Sequence, residues 1–274
     1  MVVRMLPKIS IVTPSFNQAP YLERTIRSIL DQGYDNLEYL IIDGGSNDGS
    51  IDIIRKYSNR LAYWVSEPDR GQSDAINKGL RRASGDWLGW QNSDDVYYPG
   101  TFASLARAAA AHPRASLVTG NMVMIDTDDK RLREMRYIRP TYGALRAEGM
   151  ILTNQAAFWH RDVHARIGYL SETLTCAFDY EWFLRVAEQF EGWHVNEVWG
   201  GLRIHEATKS QKLAERFADE MDSVRRQRPF SRWKIPLYRA RRAFLMMMRG
   251  DASYVASGVA DRLRRKLTGA PRVN

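Results

Sequence analysis

The strongest chemical signal in this chain is a pair of carboxylates placed directly after a short apolar run. Trp87-Leu88-Gly89-Trp90 leads through Gln91 into Asn92-Ser93-Asp94-Asp95. The run is too short for a helix and reads as a buried strand between Gly85 and the polar cluster. Two adjacent carboxylates are costly to bury, so they belong at the solvent-facing end of that strand, where open α/β sheets place ligand groups. Hard oxygen donors in this arrangement suit Mg²⁺ or Mn²⁺ shared with phosphate oxygens. The same residues also suit an Asp-rich turn that caps the helix after Pro99.

The elements that position such residues follow from hydrophobic period and turn chemistry. Lys8–Thr13, Leu37–Ile42 and Leu61–Val65 read as strands, each followed by a polar or acidic loop. Leu22, Ile26, Ile29 and Leu30 recur at helical spacing, and Gly33 closes that helix. Ile51, Ile54 and Tyr57 begin a second helical pattern. Gln72–Ala83 gives a third, with Ile76, Gly79, Leu80 and Ala83 inward and Lys78, Arg81 and Arg82 outward. Strand–loop–helix units repeated over the first 95 residues predict crossover helices and a predominantly parallel sheet. Beyond them the pattern predicts a helix over 99–111, a long strand over 116–125 and a charged hairpin or surface excursion over 126–139. A loop and strand over 151–159, a short helix over 161–167, a helix over 178–190 and a short strand over 193–199 complete the domain.

Composition narrows the class. At 274 residues with 44% hydrophobic content, the chain is long enough for one large α/β domain with an appendage. Its single cysteine, Cys176, excludes an intrachain disulfide and any multi-cysteine metal site, and fits a reducing compartment. No signal peptide and no membrane span are expected. The net charge of +8 is uneven: residues 225–274 hold 14 Lys or Arg and 2 Asp, a net of +12, leaving residues 1–224 at −4. The expected division is a catalytic domain over 1–224 and a basic helical extension over 225–274. In the extension, Leu237, Ala240, Phe244, Met247 and Met248 share one helical side, with Arg239, Arg242 and Arg249 largely opposite. Such a helix could lie on an anionic membrane surface, or pack on the main domain or a second subunit. A nucleic-acid partner is not expected, because aromatic and basic residues are not interleaved on one surface.

Five motifs occur in order: Thr13-Pro-Ser-Phe-Asn17, Asp43-Gly-Gly-Ser-Asn-Asp-Gly-Ser50, Glu67-Pro-Asp-Arg-Gly-Gln72, Gly85-Asp86 and Asn92-Ser-Asp-Asp95. Each is weak alone. The ordered set resembles glycosyltransferase family 2, of the bacterial surface-polysaccharide type, densely over residues 8–99 and more loosely through Ser210. The resemblance implies an α/β GT-A nucleotide-diphospho-sugar transferase fold with a mostly parallel central sheet flanked by helices. It implies an inverting enzyme that moves a sugar from a nucleoside-diphosphate donor to a saccharide or lipid-linked saccharide hydroxyl, with Mn²⁺ or Mg²⁺ as cofactor. Its site would be cytoplasmic, at the inner face of the cytoplasmic membrane where the basic extension could bind. A catalytically silent nucleotide- or glycan-binding protein on the same scaffold is the alternative.

The resemblance also assigns residues. Thr13, Pro14 and Ser15 fall in the nucleotide-binding loop, and Asp43 and Asp69 contact the base or ribose of the donor. A loop-end carboxylate can accept hydrogen bonds from ring N–H or sugar hydroxyls, but can equally cap the next turn, as Asp43 might do for Gly44–Ser46. Asn92 and Ser93 belong to the donor site and Asp94, Asp95 and His205 to the metal. Asn92 stands where the family's metal motif often has its first aspartate, so it can donate a hydrogen bond but carries no charge. Asp179 matches the catalytic aspartate, the base for the acceptor hydroxyl; as an alternative it is only an N-cap. Glu181, Arg203, Lys209 and Ser210 are supporting residues, and Arg185 supports the site or forms a local ion pair. Asn154-Gln155 and His160-Arg161 could line the acceptor side. Tyr97 and Trp182 could stack on sugar faces, although aromatics in such patterns are more often core.

Overall fold

The computed structural model describes residues 6–205 and 213–268, with side chains through 260. The chain divides into two compact units, Met1–Pro229 and Phe230–Asn274.

The first unit is built on a sheet of nine strands ordered β3-β2-β1-β4-β8-β6-β9-β5, with β7 paired to β6 off this path. Its first half is parallel. β1 (Ile9–Ser15) lies between β2 (Leu37–Asp43) and β4 (Trp87–Trp90), and β3 (Tyr63–Ser66) forms the edge. Every residue of β1 and β4 is buried, as expected for strands covered on both faces. The crossovers are α1 (Ala19–Leu30), α2 (Ser50–Lys56) and α3 (Gln72–Arg82). α1 buries Leu22, Thr25, Ile26 and Ile29 at helical spacing, and Pro20 in its first turn is compatible with the helix start.

The second half mixes directions. β8 (Ala157–His160) runs antiparallel to β4 and to β6 (Ala115–Ile125), while β9 (Glu191–Arg203) runs parallel to β6. β7 (Arg131–Met135) makes the expected hairpin with β6, and β5 (Val96–Tyr97) pairs with the far end of β9. β5 is two residues long and leaves no period in the sequence. β9 continues to Arg203, past the expected end at Trp199, because Gly200 admits a close neighbour: a Cβ there would overlap the Gln155 carbonyl. The helices of this half are α4 (Thr101–Ala111), α5 (Tyr142–Glu148), α6 (Asp162–Ile167), α7 (Phe178–Gln189) and α8 (Ala214–Arg226).

An aromatic cluster fixes α7 against the sheet. Trp90 of β4 and Trp159 of β8 meet Trp182 and Phe183 of α7, with Trp159 and Trp182 ring centroids 4.6 Å apart and Trp90 and Phe183 stacked at 5.7 Å. Trp182 and Tyr97 are therefore core residues, the more ordinary of the two expectations. The second unit comprises α9 (Ile235–Met248) and α10 (Ala252–Thr268). Met246 and Asp251 are buried in it, Arg249 pairs with Asp251 at 2.6 Å, and Trp233, Leu237, Phe244, Met247 and Met248 are exposed.

Candidate active site

Three loops meet beyond the carboxyl ends of β1, β2 and β3. Thr13, Pro14 and Ser15 are buried at the end of β1; Thr13 Oγ1 accepts from Tyr39 Oη at 3.0 Å, and Ser15 Oγ is buried without a hydrogen-bond partner among the described residues. The chain then turns through Asn17 (φ 51°), whose N–H donates to Ser46 Oγ at 2.8 Å, while Asn47 N–H donates to Asn17 Oδ1 at 2.9 Å. Asp43 is fully buried. Its carboxylate accepts from Gly45 N–H, Ser46 N–H, Ser46 Oγ and Ser66 Oγ at 3.1, 2.9, 2.6 and 2.7 Å, which folds the glycine-rich loop. The turn-capping alternative thus describes its present contacts. Asp69 accepts from Gly71 N–H at 2.8 Å, and a Cβ on Gly44 would lie 2.5 Å from Asp69 Oδ2 and 3.3 Å from the Phe16 ring. Gly44 therefore allows the three loops to touch, and Phe16 is left 59% exposed at their meeting point.

The loop after β4 separates the two carboxylates. Asp95 turns inward, where Oδ2 accepts from Gln155 Nε2 at 2.7 Å and Asn92 Nδ2 at 2.9 Å, and Oδ1 accepts from Arg203 N–H at 2.9 Å. Burial, and then the neighbouring Asp94 charge, push its carboxyl well above the usual carboxylate range against the pull of these donors. Asn92 also accepts from Gln72 Nε2 at 2.8 Å, so the amide bridges α3 to Asp95. Thr25 of α1 shares its hydroxyl between the Ser93 and Asp95 carbonyls at 2.9 and 2.7 Å. Asp94 points the other way: its Oδ2 lies 3.0 Å from His205 Nε2.

Arg203 and His205 reach this loop from the end of β9. Arg203 is fully buried; Nε donates to the Asp94 carbonyl at 2.7 Å, and the guanidinium continues to the Asp126 carbonyl at 2.8 Å and Asp129 Oδ1 at 2.5 Å. Tyr21 of α1 packs beneath both, 5.1 Å from the guanidinium and 4.7 Å from the imidazole. Arg203 thus ties the acidic loop to the β6–β7 hairpin. Asp94 and His205 suit one divalent cation whose remaining ligands are phosphate or water oxygens, since such ions use one or two protein carboxylates and imidazole is an acceptable donor. Among the described residues no group of three or more His, Cys, Asp and Glu side chains could by itself hold a metal. Lys209 and Ser210 lie outside the described residues.

Asp179 stands in the first turn of α7, partly exposed, with Oδ1 accepting from Tyr180 N–H at 2.6 Å. The N-cap is Ala177, two residues earlier, so the N-cap alternative for Asp179 does not hold. Glu181 is committed elsewhere, accepting from Arg185 Nε at 2.9 Å and Arg228 at 2.8 Å. Arg185 makes the local ion pair and also reaches the Ile167 and Tyr169 carbonyls. Of the acceptor-side expectations, Gln155 reaches the acidic loop but His160 and Arg161 do not. The antiparallel register sets His160 opposite Trp87, and Arg161 donates to the Ser84 carbonyl at 3.0 Å, at the opposite end of β4. Sequence reasoning missed Thr25, whose signal is a hydroxyl on the buried face of α1. It also gave no role to Phe16 or Glu220.

A parallel half-sheet with acidic loops at its carboxyl ends, continued by antiparallel strands, is the GT-A arrangement. S. aureus TarS in complex with UDP-GlcNAc superposes with a TM-score of 0.66 at 16% identity, over 79% of this chain and 65% of that chain. The mannosyltransferase PcManGT from Pyrobaculum calidifontis, in complex with GDP-Man and Mn²⁺, gives a TM-score of 0.60 at 20% identity, over 95% of this chain and 81% of that chain. Residues 10–168 match Glycosyl transferase family 2, and the chain belongs to that family. An uncharacterized glycosyltransferase of Mycobacterium tuberculosis is 33% identical over 186 residues, 66% of this chain and 69% of the relative.

Proposed function

We propose that this glycosyltransferase is inverting and metal-dependent, and transfers a sugar from a nucleoside-diphosphate donor to a saccharide or lipid-linked saccharide hydroxyl. The observation that carries the reading is the Asp94–His205 pair, 3.0 Å apart beyond the carboxyl end of β4. The donor's nucleoside would lie over the strand ends at Thr13–Ser15 and Asp43 and the loop at Asp69, where the exposed Phe16 ring offers a flat apolar face for the base. Asn92 and Ser93 would border the diphosphate. Mn²⁺ or Mg²⁺ held by Asp94 and His205 would offset the negative charge of the leaving diphosphate. Asp95 would act from behind, holding Asn92, Gln155 and the Arg203 backbone so that Asp94 faces the donor.

On the acceptor side, the Asp179 carboxylate takes the proton of the acceptor hydroxyl. That oxygen forms the new bond to the anomeric carbon, and the bond to the diphosphate oxygen breaks with its electron pair on the nucleoside diphosphate. Attack opposite the leaving group inverts the anomeric configuration. The complexes of TarS with UDP-GlcNAc and of PcManGT with GDP-Man and Mn²⁺ support donor class and metal. A nucleotide-sugar panel tests the proposal, by thermal shift with and without Mn²⁺ and then by release of nucleoside diphosphate. Metal-dependent stabilisation and turnover by one donor are expected; full turnover after rigorous EDTA treatment overturns metal dependence.

The Phe230–Asn274 unit supports a membrane-surface role at the inner face of the cytoplasmic membrane. Leu237, Phe244, Met247 and Met248 form an exposed apolar face on α9, in a segment of high positive charge. Among the described residues no helix is long and apolar enough to cross a membrane.

A further inference from the structure

Glu220 projects from α8 onto the turn that launches α7. Its Oε2 accepts from three consecutive backbone N–H groups, Thr175 at 3.1 Å, Cys176 at 2.7 Å and Ala177 at 2.9 Å. Its Oε1 accepts from Thr175 N–H and from Arg216 Nε, both at 3.0 Å. Successive amides converging on one anion make a concave cradle, and charge-assisted hydrogen bonds of this kind are about twice as strong as neutral ones. Ala177, the N-cap of α7, has no side chain that can cap the helix, so the carboxylate that orders this turn comes from another helix.

The helix carrying Glu220 is itself held. Met221 and Val224 are buried, Arg228 pairs with Glu181 of α7 at 2.8 Å, and Arg146 of α5 donates to the Arg225 and Arg228 carbonyls. Glu220 therefore holds the start of α7, and Arg228 holds Glu181 in its first turn. Asp179 lies between these anchors, two residues after Ala177. We propose that Glu220 is the positioning residue of the base: it fixes the 175–177 turn and, through it, the direction of the Asp179 carboxylate. The inference rests on the reading of Asp179 as base. Catalytic groups held even an ångström out of place lose large rate factors, so a side chain that touches no substrate can still control turnover.

The test uses the full chain, Mn²⁺ and the nucleotide sugar selected by the panel, with three variants. Glu220→Ala is expected to lower kcat at least tenfold while donor KM stays within twofold, and to shift the acid limb of the kcat–pH profile. Glu220→Gln keeps an oxygen for the three amides and is expected to retain kcat within about threefold. A Glu220→Ala variant with kcat within twofold of wild type overturns the inference. So does an equal loss of nucleoside-diphosphate binding and kcat in both variants, which marks a general structural role. If Glu220→Ala does not fold, Glu220→Asp carries the test. Its shorter arm should lower kcat at unchanged donor KM, and an unchanged kcat overturns the inference. Asp179→Asn separates the two readings: retained transfer removes the base assignment, whereas lost transfer beside a normal Glu220→Ala removes only the positioning role.

Discussion

At the scale of the residue, carboxylates of one chemistry take different work from their surroundings. Asp43 and Asp95 are buried and engaged by three or more donors, and they shape loops. Asp94 and Asp179 are partly exposed, as the roles proposed for them require. The prediction belongs to Asp179: its replacement by Asn should lower kcat by roughly 10²–10⁴-fold, the range for loss of general base catalysis. Nucleoside-diphosphate binding with Mn²⁺, measured by calorimetry, should stay within a few fold; near-normal transfer by folded protein rejects the assignment. The carboxylate at the opposite end of the strands, Glu38, serves stability instead. Burial raises its pKa, but hydrogen bonds from Lys8, Ser10 and Ser84 prevail and bring it down to about 2. A lowered folded-state value means its stabilisation is present above the unfolded value near 4.5 and is lost as pH falls toward 2. Glu38→Gln should therefore flatten the fall in Tm over that window, with little change in its pH dependence above pH 6.

Between elements, the site depends on close backbone approach and aromatic packing. β9 passes the 3₁₀ turn Asn154–Ala156 so closely that only glycine fits at position 200, and that turn supplies Gln155 to Asp95. Gly200→Ala is expected to destabilise the protein by about 1–3 kcal/mol, the usual cost of overpacking. It should also weaken Mn²⁺-dependent nucleotide binding, because displaced Gln155 releases Asp95. Circular-dichroism melts and calorimetry check both effects; an unchanged Tm contradicts the packing account. The Trp90, Trp159, Trp182 and Phe183 cluster performs the matching task for α7, joining the helix of Asp179 to the strands that carry the acidic loop.

For the whole molecule, the first unit carries the acidic loop and α7, and the basic segment carries an apolar surface exposed on α9. If that face meets anionic lipid, Leu237→Gln, Phe244→Gln and Met248→Gln combined should reduce co-sedimentation with phosphatidylglycerol vesicles at least tenfold. Turnover of a water-soluble acceptor should stay within twofold. Equal vesicle binding by the variant rejects the membrane role. Removing apolar groups while keeping the arginines also separates insertion from charge attraction alone, which salt weakens.

The parallel half of the fold was legible because each strand is a short buried run and each crossover helix repeats its apolar residues on one face. Local composition alone encodes both patterns. Glycines and aspartates between them marked the turns that follow those strands, and only the motif resemblance gave those turns an expected donor role. The sequence could also bring Asp94, Asp179 and His205 forward through motif resemblance. It could not read β5, the full length of β9, or the far-end location of His160 and Arg161, because those depend on antiparallel partners distant in the chain. Nor could it divide Asn92-Ser93-Asp94-Asp95: the carboxylates are neighbours of identical type. Only the folded chain, by bringing Gln155 and the Arg203 amide to Asp95 and His205 to Asp94, buries one carboxylate among protein donors and sets the other beside an imidazole.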